Sequence, residues 1–292
     1  MANLSPLFSL SAAAVWGTGD FCGGIATRRS TVFSVVAVAH TIGLLFMMAL
    51  AFLFREPVPR NSVLLWGLAA GITGGAGLAC LYRALAVGKM GLNAPLSAVI
   101  AAIVPLIFSL FTEGMPPAWR FIGFAVALLS IWLIATQSSP NSDFEPRDDA
   151  AVSSTRSDHR GLVLAIASGL GLGGFLLLIK FAGSSALFWP LVTSRIGSAG
   201  LMLLTLAATQ GEWSPKKGSI RWVLLAGLLD TSANALYVAA TQRGSLAVAA
   251  VLSSLYPAST VILARVVLKE RWSPLQRVGM VGALVAVGLI SY

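Results

Sequence analysis

Two carboxylates, Asp20 and Asp230, stand inside long apolar stretches, whereas the other nine of the eleven acidic residues fall in a polar segment, in turns or at the ends of such stretches. A carboxylate at the centre of a membrane-crossing helix costs about 2.5–3.5 kcal/mol on insertion scales, so it turns toward the protein interior or a wet cavity. Asp230 shares enough of a helical face with Ser232, Asn234 and Tyr237 to form a polar stripe suited to lining such a cavity, where the carboxylate would meet a substrate amino group or carry a proton. The plainer alternative is a carboxylate bonded to Thr231, Asn234 or a basic neighbour to lock helices together. Asp20 follows Trp16-Gly17-Thr18-Gly19 and has the same two readings, proton carrier or partner of Arg28 or Arg29 at the nearer membrane face.

On the basic side, Arg195 lies about nine residues into an apolar run and His40 is at nearly the equivalent place earlier in the chain. Arginine cannot shed its charge in a protein, so Arg195 needs an anion, water or a row of carbonyls. It would contact a substrate carboxylate or phosphate, snorkel to the interface, or pair with an acid. His40 reads as a hydrogen-bonded core residue or as a proton relay. Trp16, Tyr82, Tyr237 and Tyr256 recur beside Gly or Pro and are either packing residues or the aromatic walls of a site for an amphipathic organic solute.

These residues announce no catalytic centre. His40, Asp20 and Asp230 are dispersed in sequence, Cys22 and Cys80 have neither paired spacing nor a nearby His cluster, and no metal site, disulfide framework or cofactor is indicated. The chain carries no Gly-x4-Gly-Lys-Ser/Thr phosphate loop, so transport would draw on a proton, another ion or the substrate gradient rather than ATP.

The elements that must position these groups follow from composition. Of 292 residues, 57% are hydrophobic and 11% charged, with mean hydropathy +0.83, which is more apolar surface than one soluble core can hide. In lipid every backbone polar group needs an internal partner, and apolar runs of about 20 residues without strict alternation select helices over a barrel. The net charge of +9 comes from Lys and Arg placed mostly in short turns between apolar runs, the pattern of a polytopic membrane protein and not of a nucleic-acid binder. Ten spans are expected, at 6–26, 31–54, 63–87, 92–112, 118–137, 161–181, 186–209, 220–242, 246–268 and 273–291. The first reads as a retained span, since no basic residue precedes it and no cleavage pattern follows.

The chain is built twice. Residues 1–137 form a first five-span repeat, 138–160 a Ser-, Asp- and Arg-rich flexible linker, and 161–292 a second five-span repeat. Leu96-Ser97 answers Leu252-Ser253, Glu113 answers Glu270, Pro117 answers Pro274, and Gly17, Gly19, Phe21 and Ile25 answer Gly171, Gly173, Phe175 and Ile179 at a common separation (171 − 17 = 154). An odd number of spans per half sends the second half into the membrane from the opposite side, so the repeats are inverted. Pro95, Pro105, Pro190 and Pro257 are expected break points, each freeing a carbonyl or kinking a helix.

The paired halves resemble the drug/metabolite transporter superfamily, specifically its EamA-type ten-span members. The resemblance is carried by Leu252-Ser253-Ser254-Leu255-Tyr256-Pro257, Lys269-Glu270-Arg271 and Gln276-Arg277-Val278-Gly279 with the Gly-rich last span. It covers nearly the whole chain apart from the linker. It implies a secondary carrier of small metabolites, often amino acids or derivatives, working by alternating access about a central cavity. It also implies cytoplasmic termini. The charge count opposes that placement, because 14 of the 20 Lys and Arg lie on the face that holds the linker and 6 on the other, which by the positive-inside rule puts the linker inside.

The expected function is therefore transport, with export from a bacterial-type inner (plasma) membrane, a small-molecule substrate, the lipid bilayer and a candidate coupling proton as partners, and no nucleic acid. The rivals are a lipid-linked flippase, a membrane-embedded enzyme and a subunit without transport of its own. Ten spans can enclose a path within one chain, and a homodimer is equally compatible with them.

Overall fold

The computed structural model describes residues 4–87, 90–136, 151–209, 213–269 and 271–292. Residues 138–150 of the expected linker, Lys89 and Glu270 lie outside the described residues. Among the described residues eleven α-helices follow one another: α1 Ser5–Thr27, α2 Val32–Leu53, α3 Asn61–Val87, α4 Met90–Thr112, α5 Ala118–Ala135, α6 Ala151–Ala182, α7 Phe188–Thr209, α8 Ile220–Thr241, α9 Leu246–Ser253, α10 Tyr256–Val267 and α11 Pro274–Ser291. α6 begins at Ala151, so the last ten residues expected as flexible linker continue a helix instead.

By length and composition, nine spans qualify among the described residues, with α9 and α10 together making one, Leu246–Val267. The expected first span is a helix of 23 residues, long enough to cross, but its Ser, Thr, Gly and Asp dilute its hydropathy. Many of these residues, Ser5, Ser9, Gly17 and Gly19 among them, are buried against neighbouring helices. They are spared contact with lipid, and α1 is an interior helix of an all-α polytopic membrane protein.

The two halves exchange partners symmetrically. α3 packs on α6 and α7 while α8 packs on α1 and α2. α4 lies against α6 as α9 and α10 lie against α1, and α2 meets α7 and α5 meets α11 across the axis. This is the arrangement of two inverted five-helix repeats. Glycines set its closest approaches: Gly71 on α3 faces the Ser194 carbonyl on α7, and Gly227 on α8 faces the Ala39 carbonyl on α2, with no room for a Cβ at either. Backbones that meet so closely gain dispersion contacts, which drive helix association where lipid offers no hydrophobic effect.

The spatial repeat is 156 residues (227 − 71 = 156), which corrects the separation of 154 read from the front glycines. Gly17 packs on Tyr256 and Thr260 of α10, and the residue that does the same on α4, against Ala101 and Val104, is Gly173 rather than Gly171. The sequence similarity at 154 matched residue types that are two positions out of spatial register.

Of the four expected prolines, one breaks its helix. Pro257 sits at the start of α10, has no N–H for the Ser253 carbonyl and clashes with it, and the chain turns through Ser254 and Leu255 between α9 and α10. α4 runs on as a continuous helix through Pro95 and Pro105; its Ala101 carbonyl meets Gly173 as the Tyr256 carbonyl meets Gly17, so Ala102, which keeps its N–H, stands where α10 has Pro257. Pro190 falls in the first turn of α7, where few intrahelical bonds are lost.

Candidate functional site

A cavity of about 690 Å³ lies between the two halves. Its walls come from the second half of α1, the first half of α2, the second half of α3 and the middles of α4, α6, α7 and α8, with Ser254 and Tyr256 contributed by the α9–α10 break. Thr27 and Val32 belong to the lining and flank the α1–α2 turn, so the cavity reaches the face on which that turn lies.

Eight of the nine residues singled out in the sequence, Trp16, Asp20, His40, Tyr82, Arg195, Asp230, Asn234 and Tyr256, line this one cavity. The ninth, Tyr237, is not in the lining. It is fully buried, its hydroxyl donates to the Leu176 carbonyl at 3.0 Å, and its ring packs on Trp16 at 5.8 Å. Tyr237 thus sits behind the wall, its hydroxyl spent on the carbonyl of Leu176, a residue of the lining.

Arg195 Nη2 donates to Asp230 Oδ2 at 2.5 Å. Arg195 is the more deeply held of the two, its side chain 7% exposed against 34% for Asp230, with Gly43 of α2 beside its Nε. The basic partner considered for Asp230 is thus Arg195, and the acid considered for Arg195 is Asp230. Asp20 comes close by another route: Gly19 packs on the backbone of Asp230 and Ala226, which sets the next residue, Asp20, at the cavity, exposed to it. Among the described residues no hydrogen bond or ion pair engages the Asp20 side chain. Asn234 is 3% exposed; its Nδ2 donates to the Asp230 carbonyl at 2.7 Å, and its Oδ1 has no partner. The buried Nδ1 of His40 also has none. Trp16 and Tyr256 meet edge to face at 6.4 Å, and Tyr82 stands edge-on to Phe33 at 6.2 Å.

At the opposite end two carboxylates that the sequence did not mark as functional bond one half to the other. Glu56, in the α2–α3 turn, accepts the backbone N–H of Leu187, Phe188 and Trp189 at 2.7–2.9 Å, capping α7. Glu113, after α4, accepts the N–H of Leu246 at the start of α9, the Ser109 hydroxyl at 2.7 Å and the Lys180 ammonium at 2.5 Å. Both bonds tie a first-half carboxylate to a second-half helix N-terminus, where the helix dipole favours negative charge. Lys180, in the last turn of α6, is thus the ion-pair partner of Glu113. Partial burial alone would push the Glu113 carboxyl up, but the bonds from Lys180 and Ser109, the Lys180 charge and the Leu246 N–H outweigh it and hold it below its ordinary value. Only the correspondence of Glu113 with Glu270 signalled it in the sequence. For Glu56 the sequence held no signal, since its partners are backbone groups of a distant helix.

Aromatic, acidic and basic side chains thus share one cavity between inverted repeats, an arrangement suited to holding a small charged or amphipathic solute. Among the described residues no group of three or more His, Cys, Asp or Glu side chains could hold a metal ion.

The model of the EamA-like transporter family matches residues 3–136 and again residues 159–292, and the two matches are separated by the same 156 residues (159 − 3 = 156) as the packed glycines. A solved structure described only as a crystal structure of a protein superposes with a TM-score of 0.78 at 17% identity, over 99% of this chain and 96% of that one; at that identity the likeness is one of fold. None of the curated proteins compared matches the chain in sequence.

Proposed function

The chain belongs to the EamA-like transporter family, and on that premise we propose that it is a secondary active carrier of small organic metabolites that works by alternating access around the central cavity. Members of the family are membrane transporters, and this chain is a multi-pass integral membrane protein. The observation that carries the finer reading is the cavity itself: about 690 Å³, set between the inverted halves and reaching one face, with Glu56 and Glu113 bonding the halves together toward the other. Such a space admits a solute of amino-acid size, and exchange of the opening from one face to the other would release it across the membrane.

The charged residues support a polar substrate and a proton as coupling ion. Asp20 and Asp230 are acids within the path, and either can bind a proton in one conformation and release it in the other. The reading includes export from a bacterial-type inner membrane, which the resemblance to drug and metabolite carriers supports.

The test is solute accumulation in proteoliposomes holding the purified protein, with an imposed pH gradient and a panel of labelled amino acids, amines and related metabolites. Gradient-driven accumulation in the wild type that is lost in Asp230→Asn is the expected result. Failure of folded wild-type protein to move any solute would overturn the carrier reading and favour a lipid substrate or a missing partner.

A further inference from the structure

The hydrogen-bonding groups of the cavity are not evenly spent. Its strongest donor, the Arg195 guanidinium, is engaged by Asp230, and each neutralises the other. Asn234 has used its donor on the Asp230 carbonyl, and its acceptor Oδ1 is left without a partner while almost wholly buried. Asp20, which as a carboxylate can only accept, is open to the cavity. His40 Nδ1, also unpartnered, can play either part according to tautomer. What remains on offer is therefore one uncompensated negative charge at Asp20 and the buried acceptor Oδ1 of Asn234, beside the Trp16 indole N–H and the hydroxyls of Tyr82 and Tyr256.

The surroundings of Asp20 sharpen this. Trp16 lies one helical turn before it on α1 and meets Tyr256 edge to face at 6.4 Å, with Tyr82 completing an aromatic wall. Aromatic faces attract cations, the more so out of water. α1 and α8 run antiparallel where Gly19 packs on Asp230 and Ala226, which places Asn234, one turn further along α8, at the level of Trp16 and deeper than Asp20.

Resting on the carrier reading above, we propose that the substrate is a monovalent organic amine without a free carboxylate, its ammonium held by Asp20 and its apolar body against Trp16, Tyr82 and Tyr256. Asn234 Oδ1 takes a further N–H or O–H donor of the same molecule. A carboxylate on the substrate would meet an Arg195 whose charge Asp230 already neutralises, whereas an amine at Asp20 supplies a charge the cavity lacks. Specificity against acids comes from the same source, since an anion would stand beside an unpaired carboxylate.

The experiment is equilibrium binding to the full chain in nanodiscs, followed by calorimetry and tryptophan fluorescence, with three probes of one shape: 2-phenylethylamine, phenylalanine and 3-phenylpropionate. The amine is expected to bind about tenfold or more tighter than either carboxylate-bearing probe. In Asp20→Asn its affinity should fall by about tenfold or more, and Asp20→Glu should retain most of it. Equal or tighter binding of the acid or the amino acid, no saturable binding of the amine, or unchanged amine affinity in a monodisperse Asp20→Asn protein would each overturn the proposal. Should Asp20→Asn fail to fold, the order of the three probes on the wild type decides alone. Carriage of another solute without amine binding sinks this proposal and spares the carrier reading; amine binding at Asp20 without any flux does the reverse.

Discussion

Arg195 of α7 and Asp230 of α8 face each other at 2.5 Å in the wall of the central cavity, although 35 residues and a turn separate them in the chain. Arg195 is buried and Asp230 reaches the opening. Removing one partner therefore strands the other charge, and the guanidinium is the worse placed to be stranded.

Asp230→Asn is accordingly expected to lower both the thermal midpoint and transport, the latter by about tenfold or more. Pairing it with Arg195→Met should recover much of the stability, because no buried charge is then left alone. Transport should stay low in the double variant. The check is a double-mutant cycle on thermal unfolding in detergent beside proteoliposome flux. Additive stability losses would show that the pair is not coupled.

Gly71 and Gly227 make equivalent backbone contacts in the two halves, so Gly71→Ala and Gly227→Ala should destabilise by similar amounts. Each pushes α3 off α7 or α8 off α2, at a cost of about 1–3 kcal/mol for overpacking. Gly200→Ala, where a Cβ meets nothing within 4 Å, is the neutral control. Thermal midpoints of the three variants test this, and a loss confined to one half would contradict the symmetric packing.

Glu113 gives its end of the molecule a pH dependence. Its carboxyl is held below its ordinary value in the folded chain, so the stabilisation from the Lys180 and Leu246 contacts is fully present above the unfolded value and is lost as pH falls through the lowered one. In a background with Cys22→Ala and Cys80→Ala, a cysteine placed by Ala247→Cys, a buried position next to Leu246 at the start of α9, should resist a membrane-impermeant thiol reagent at neutral pH. Labelling should rise only below the ordinary carboxylate range. Glu113→Gln should raise it already at neutral pH, and equal labelling of the two proteins at every pH would show that Glu113 does not hold this end.

The sequence alone determined the solvent, the places of the membrane-crossing stretches and the doubled, inverted plan. These depend on composition and on runs of about 20 apolar residues, which any local reading detects. It also drew attention to Asp20, Asp230, Arg195 and His40, because a polar group inside such a run is costly wherever it ends up. Which of these groups meet was decided by the tertiary structure. The Arg195–Asp230 pair, the open side chain of Asp20, the diversion of Tyr237 to the Leu176 carbonyl and the capping of α7 by Glu56 all depend on how helices distant in the chain rotate and slide against each other. Side-chain and glycine packing fixes that register to within a residue. The sequence repeat missed it by two at α1, since matching residue types says which helices correspond but not which backbone atoms touch.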